Sequence, residues 1–353
     1  MPAEPTTASE RRPSMTPDQC AGTLNLLRES LAARDLFRRS ILYYVAETFL
    51  AVFLLIGSVS LLFVLESTML RMLMAVPLAI ASTRLSFLGH DAGHGQVFRS
   101  RRANDRFMLL MGPFLGLGRS WWLHTHNLHH KFPNDSVRDP HASVKVLAFT
   151  VGQQRAKSEV TKSIIRFQVY YYLPLLLLEG LWMRLNSIYF LKRRRLPHRC
   201  MEAYGILIYW GSLMLIASTA FTTSMALLFS ALYLGLNGLY MGLIFAPNHK
   251  GMPAFETVSN NNFLRLQTAT TRNVAPSPAI DFWFGGLNYQ IEHHLFPRLP
   301  RNRLREARDI TRAFCAEHEI GYCELSLTAS YREVFSHLGR TARRADGWGE
   351  LRL

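Results

Sequence analysis

The chain is 353 residues long and 49% hydrophobic, with 40 Lys and Arg against 25 Asp and Glu, a formal charge of +15 and a pI near 10.0. A mean hydropathy of +0.05 excludes an ordinary soluble domain of this length and calls for membrane integration. The basic excess is not a nucleic-acid footprint, because the cations gather beside apolar stretches, as at Lys192, Arg193, Arg194 and Arg195, in the way of membrane proteins with basic inner loops.

Residues 1–40 read as a polar cytoplasmic segment, of which 1–18, with Pro2, Pro5, Pro13 and Pro17 among Ser, Thr and Glu, are expected to be disordered. The first apolar stretch starts at Ile41, too late and too long for a cleavable signal. At ~20 residues per crossing, four stretches can span a bilayer: 41–64, 69–89, 203–220 and 224–246. The links at Glu66, Ser67 and Thr68 and around Thr222 and Thr223 carry no basic residue, so both are expected outside. The piece 108–118 holds Pro113 and three glycines and is too short to cross. A fifth apolar stretch, 169–190, is interrupted by Pro174, Glu179, Arg184 and Asn186. If it crossed, residues 192–195 would be exported and the histidines on either side of it would lie on opposite faces. It is therefore expected to be interfacial or re-entrant, its charged residues reaching water.

Beyond Pro300 the chain reads as soluble. Leu304, Ala307, Ile310, Thr311 and Phe314 recur with helical spacing, and a second helix is expected from about Ser330 to Leu338, closed by Gly339 as a C-cap. The fold expected is an all-α, multi-pass integral membrane protein: four transmembrane helices, interfacial helices and a cytoplasmic helical cap. It forms one domain over 41–340 with a tail at 341–353, and no internal repeat or second domain. Cys20, Cys200, Cys315 and Cys323 form no CxxC pair and are expected to be reduced, non-catalytic thiols.

The chemistry is carried by histidine. His90 and His94 lie one helical turn apart, and His126, His129 and His130 share one helix face at i, i+3 and i+4. His249 follows the fourth crossing, and His293 and His294 follow Gln290. With four crossings all eight fall on the cytoplasmic side. Imidazoles held this close repel when protonated unless something uses their neutral lone pairs, so a metal is the expected occupant. Eight exceed the four ligands of a structural zinc and the six of an octahedral ion, which implies two metals, and nitrogen ligation without thiolate is compatible with iron. Gln290 stands where the first histidine of H-x2-HH would stand and can offer its carbonyl oxygen. His124 points away from the trio, His141 after Asp139 and Pro140 reads as a supporting residue, and His198, His318 and His337 have no clustered neighbours.

HDAGH at 90–94, HNLHH at 126–130 and QIEHH at 290–294 resemble the three histidine boxes of membrane fatty acyl desaturases, a likeness that covers about residues 40–310. The glutamine of the third box is typical of the front-end and linoleoyl-CoA-type branch. His249 in FAPNHKG and the DPH at 139–141 are also similar to acyl-CoA delta-9 desaturases, whose Asn one turn before the extra histidine is Phe245 here, with Asn248 adjacent to His249.

The resemblance implies dioxygen-dependent insertion of a double bond into an acyl-CoA or acyl-lipid, with two iron ions held by His90, His94, His126, His129, His130, His249, His293, His294 and Gln290. No catalytic residue separate from these ligands is implied. A narrow apolar tunnel would select the carbon, with Trp121, Trp122, Phe282 and Trp283 as candidate walls, an aromatic belt being the other reading. Arg272 and Asn273 are candidates for a polar head group or for interfacial anchoring. Residues 1–353 contain no HPGG haem motif and no flavin or nicotinamide fingerprint. Electrons are therefore expected from a separate reductase with ferredoxin or cytochrome b5, docking near Arg298, Arg301, Arg303 and Arg305.

A membrane hydroxylase or ketolase would share the boxes and the oxidant. An intramembrane zinc protease fits HDAGH poorly, because Asp91 is shorter than the glutamate of H-E-x-x-H and six histidines would have no task. A metal transporter would set its ligands within the membrane, whereas these lie beyond the crossing ends.

Overall fold

The computed structural model describes residues 17–254 and 263–343, with side chains from residue 21 onward. Most of the segment expected to be disordered, and most of the expected tail, lie outside the described residues. Helix α1 (Pro17–Ala33) begins inside the expected disorder, so that expectation fails at its last two residues.

Where the chain is apolar without interruption over about twenty residues it forms long helices, since lipid leaves backbone groups no other partner. These are α2 (Ile41–Val64), the pair α3 (Thr68–Leu73) and α4 (Ala75–Gly93), then α11 (Arg199–Ala220) and α12 (Thr223–His249). Each of the four spans has the length and hydropathy to cross a bilayer. Their burial is unequal: 61% and 50% of the apolar windows of α3–α4 and α12 are buried, against 17% and 28% for α2 and α11. The second and fourth spans are thus the inner pair. The other two turn Phe49, Phe53, Leu207 and Met214 outward, as lipid contact requires.

Both inner helices run past the ends expected for them. α4 continues through His90, and α12 through His249 despite Pro247 in its last turn. A proline has no N–H for the carbonyl four residues back. The Tyr331 hydroxyl donates to that carbonyl, on Leu243.

Between the two pairs of spans come α5 (Arg101–Leu115), α6 (Arg119–Lys131), α7 (Val151–Arg155), α8 (Glu159–Ile165), α9 (Gln168–Leu176) and α10 (Glu179–Arg193). The 169–190 stretch is broken at Leu177 and Leu178 into two helices, each too short to cross. Its expected wet charges need one correction: Arg184 is buried. The guanidinium Nη1 donates to Gly180 O at 2.7 Å and both Nη atoms reach Asn237 Oδ1 at 3.2 Å, while Asn237 Nδ2 donates to Thr83 Oγ1 at 3.1 Å. A cation can stay dry when neighbouring helices supply its acceptors. The approach needs glycine, since a Cβ on Gly180 would lie 2.5 Å from Leu234 O and 3.0 Å from the Gly238 nitrogen.

The remaining chain builds the cap: α13 (Phe263–Thr270), β1 (Asn273–Val274), α14 (Pro278–Phe284), α15 (Gln290–Leu295), a 3-10 turn at Arg301–Arg303, α16 (Leu304–Glu317), β2 (Glu324–Leu325) and α17 (Leu327–Arg343). β1 and β2 pair in parallel, Asn273 opposite Glu324. α1 belongs to this cap, burying Leu27 and Leu31 in one core with Leu264, Ile291, Leu295 and Phe314. Gly339 lies inside α17 rather than capping it. The helix continues because its last turn is docked: Gln168 Nε2 donates to Leu338 O and Gln154 Nε2 to Ala342 O.

Candidate metal centre

Four elements end at one place. α4 brings His90 and, at its C-cap, His94; α6 brings His126, His129 and His130; α12 ends on His249; and α15 carries Gln290, His293 and His294. The side chains sort into two adjacent sets. His90, His94, His126 and His293 form one, and His129, His249 and His294 the other, the ligand nitrogens of each set lying within 4.8 Å of one another. His130 sits between them, its Nε2 3.0 Å from His126 Nε2 and its ring stacked on His294 at 4.2 Å. The Gln290 amide is 3.0 Å from His249 Nε2. All nine residues expected around the metals are therefore brought together.

The donor set fits metal. His90 Nε2, His293 Nε2 and His294 Nε2 are buried with no hydrogen-bond partner among the described residues, and such atoms are costly unless something accepts the lone pair. Elsewhere ring nitrogens face one another, His94 Nε2 and His126 Nε2 at 2.8 Å, His129 Nε2 and His249 Nε2 at 3.3 Å. Burial, reinforced by neighbouring imidazoles, pulls His94, His126, His130, His293 and His294 well below the usual histidine range, so they are neutral. Neutral imidazole is the form that binds a cation.

The opposite ring nitrogens are held from behind. His90 Nδ1 meets Asp91 Oδ1 at 3.0 Å, His129 Nδ1 meets Asp139 Oδ2 at 2.9 Å, His294 Nδ1 meets Gln267 Oε1 at 2.8 Å and His249 Nδ1 meets Thr270 O at 3.3 Å. An acceptor at Nδ1 keeps the proton there and turns Nε2 toward the centre. Burial pushes the Asp139 carboxyl up, but His129, His141 and Lys250 together hold it well below the usual carboxylate range. Glu292, inside the third box, is pushed up to about 7 by burial, against the donors Asn273 and Tyr322.

Asn134 ties the elements together. It adopts a left-handed backbone, φ 58°, and its Nδ2 lies within 3.2 Å of the carbonyls of His249, Pro253 and Thr270. Such a conformation is strained for a residue with a Cβ, and local polar contacts offset it.

Residues expected at the periphery fall out differently. His124 lies against Phe190, and the His141 ring is 5.1 Å from His129. His318 stacks on Phe314 and His337 meets Phe149 O. Trp122 stacks on His126 at 4.2 Å and turns an edge to His90, an approach that requires glycine at 93, where a Cβ would lie 2.3 Å from the indole. Trp121 is buried, whereas Phe282 and Trp283 face outward. Arg272 and Asn273 are both buried. Arg272 Nε and Nη2 donate to Pro247 O and Lys250 O, and Asn273 Nδ2 donates to Glu292 and Tyr322. Their polar groups thus serve the frame of the site rather than a head group. Arg301 is buried too, 3.0 Å from Asp91, and so is no part of an outer basic surface.

Sequence reasoning did not single out Gln267 and gave Arg301 to an outer docking surface; the partners of both are remote in the chain. Asp91 and Asp139 stand near histidines in the sequence, and that proximity was their signal. Where an apolar tunnel was expected, a cavity of about 550 Å³, open mouth included, lies between α4, α5, α6, α10 and α12, and of the four expected wall residues it takes in Trp122 alone. Met111, Leu115, Met183, Met241 and Phe245 line it, with His90 and Trp122 at the metal side.

Residues 67–326 match the family profile described as fatty acid desaturase. The chain is 30% identical over 272 residues to a Delta(8)-fatty-acid desaturase of Helianthus annuus, covering 73% of this chain and 59% of the relative. It is 30% identical over 263 residues to a Delta(6)-fatty-acid desaturase of Caenorhabditis elegans, covering 69% and 59%, and 29% identical over 316 residues to a Delta(5) fatty acid desaturase of the same organism, covering 84% and 68%. The chain spans about three fifths of the length of the first relatives it matches. A match over most of this chain, with the histidine boxes assembled at the ends of its apolar helices, has one reading: the chain belongs to the fatty acid desaturase family.

Proposed function

We propose that the protein is a membrane fatty acyl desaturase that converts a CH2–CH2 pair of an acyl-CoA or acyl-lipid to CH=CH, consuming one O2, two electrons and two protons and releasing two waters. The observation that carries this reading is the double nitrogen cluster at the end of an apolar cavity. His90, His94, His126 and His293 would hold one iron and His129, His249 and His294 the other, with His130 and Gln290 completing the site. When bound, the irons supply the dioxygen chemistry that removes hydrogen from an unactivated methylene, which side chains alone cannot do.

The protein's own part is to place the chain and keep water out. The cavity's thioether and aliphatic walls favour methylenes, and the Trp122 indole lies between that wall and His126. Asp91, Asp139 and Gln267 keep the ring protons at Nδ1, so the Nε2 lone pairs stay turned inward throughout the reaction. The relatives' names, all desaturases, favour loss of a second hydrogen over hydroxylation.

In the membrane, the histidine end of α4 and α12 faces the cytoplasm, with four crossings and residues 41–340 as one unit. Electrons arrive from a ferredoxin or cytochrome b5 and its reductase, at the outer basic surface of Arg298, Arg303 and Arg305. Expression of the iron-loaded protein with such a donor, followed by mass spectrometry that locates double bonds in cellular fatty acids, tests the reading. A new unsaturated acyl species is expected; an unchanged profile with the protein present and metal-loaded would overturn it.

A further inference from the structure

We propose that Arg119 anchors the acyl substrate by its head, its guanidinium binding a phosphate of the acyl carrier where the cavity meets solvent. This rests on the desaturase reading and adds the head-group chemistry.

Among the described residues lining the cavity, Arg119 is the single cation; apart from Ser86 and His90 the other side chains are apolar. It opens α6, three residues before Trp122 and seven before His126. Spacings of i, i+3 and i+7 share one helix face, and seven residues rise ~10 Å along the axis. One face thus presents, in order, a cation, the aromatic wall and a histidine of the cluster. A head held at Arg119 leaves only a short run of chain before the metals, so the double bond would be counted from the head rather than from the tail.

The guanidinium is placed to exchange partners. Its side chain is 14% exposed and pairs with Asp105, which is 33% exposed, so the ion pair lies at the wet edge of the cavity. A partly solvated carboxylate is a weak competitor. The Arg119 Nε is buried without a partner, which leaves a donor for an oxyanion, and the planar fork suits phosphate.

The backbone beneath it is fixed. Gly118 N donates to Ser187 Oγ at 2.7 Å, and Ser120 donates to Glu202 through its backbone N at 3.0 Å and its hydroxyl at 2.5 Å. Arg272, the arginine singled out by the sequence for this task, is committed to main-chain carbonyls.

The phosphate belongs either to a water-soluble carrier or to a phospholipid, and the test separates them. Equilibrium binding to the purified, iron-loaded protein is measured with three unreactive ligands sharing one acyl chain: an acyl-CoA ether, a phospholipid in nanodiscs and a neutral thioether without phosphate. Losing a charge-assisted hydrogen bond predicts that Arg119→Gln weakens at least one phosphate-bearing ligand by roughly 10- to 100-fold, with the neutral ligand changed by less than about twofold. The ligand that responds identifies the source of the phosphate. Arg119→Lys, which keeps the charge without the fork, should recover part of the loss, and Asp105→Asn should tighten the same ligand. Unchanged binding of both phosphate ligands, or equal weakening of the neutral one, would overturn the proposal. Iron content and elution profile identify any variant that misfolds, and the Asp105→Asn result then decides. Because the readout is binding, a wild type that binds these ligands but makes no double bond refutes the desaturase reading separately.

Discussion

Asp91 faces two partners at once, His90 Nδ1 through Oδ1 at 3.0 Å and Arg301 Nε through Oδ2 at 3.0 Å. Arg301 also lies 3.7 Å from Glu47, which pairs with Arg84. A buried line of alternating charges therefore runs from the cap to the first histidine box, and removing one member strands its neighbour. Replacing Arg301 by Gln, or Asp91 by Asn, should lower metal affinity by ~10- to 100-fold, the usual cost of losing an outer partner of a ligand, as read by competition with a chelator. Affinity unchanged in both variants would show that the line is incidental. The histidines and Gln290 were legible because they are clustered and rare in an apolar chain. Arg301 and Gln267 were not, since nothing local marks an arginine or glutamine whose partner lies far away in sequence.

At the scale of elements, apolar runs announced the four long helices but not what happens inside them. Arg184 and Asn186 read alike as interruptions of 169–190, yet only Arg184 is buried, because Asn237 of α12 faces it. Asn237→Ala should destabilise the protein by about 3 kcal/mol by leaving the guanidinium short of acceptors, whereas Arg184→Leu combined with Asn237→Leu should cost less. Thermal unfolding in detergent decides this; a double variant less stable than the single would contradict it. Likewise Tyr331→Phe should cost about 1–2 kcal/mol, since the Leu243 carbonyl at the Pro247 turn loses its donor. The presence of α17 was readable and its end was not, because the docking that carries it past Gly339 comes from Gln154 and Gln168.

For the whole molecule, convergence of four chain segments on one centre demands that the ends of α4, α6, α12 and α15 share a side of the membrane. Cysteines placed at Ser67 and Thr223 in a cysteine-free variant should be labelled from outside by an impermeant thiol reagent. Those at Arg194 and Arg340 should stay protected until the membrane is opened, and labelling of Arg194→Cys in intact cells would export the basic segment and break the topology. The measurement closest to the central claim is metal stoichiometry. Elemental analysis of protein purified from iron-supplemented cells should find about two irons per chain, as the ligand count requires, falling toward zero in His126→Ala and unchanged in His318→Ala. One tightly held zinc per chain, or iron undiminished in His126→Ala, would contradict the account.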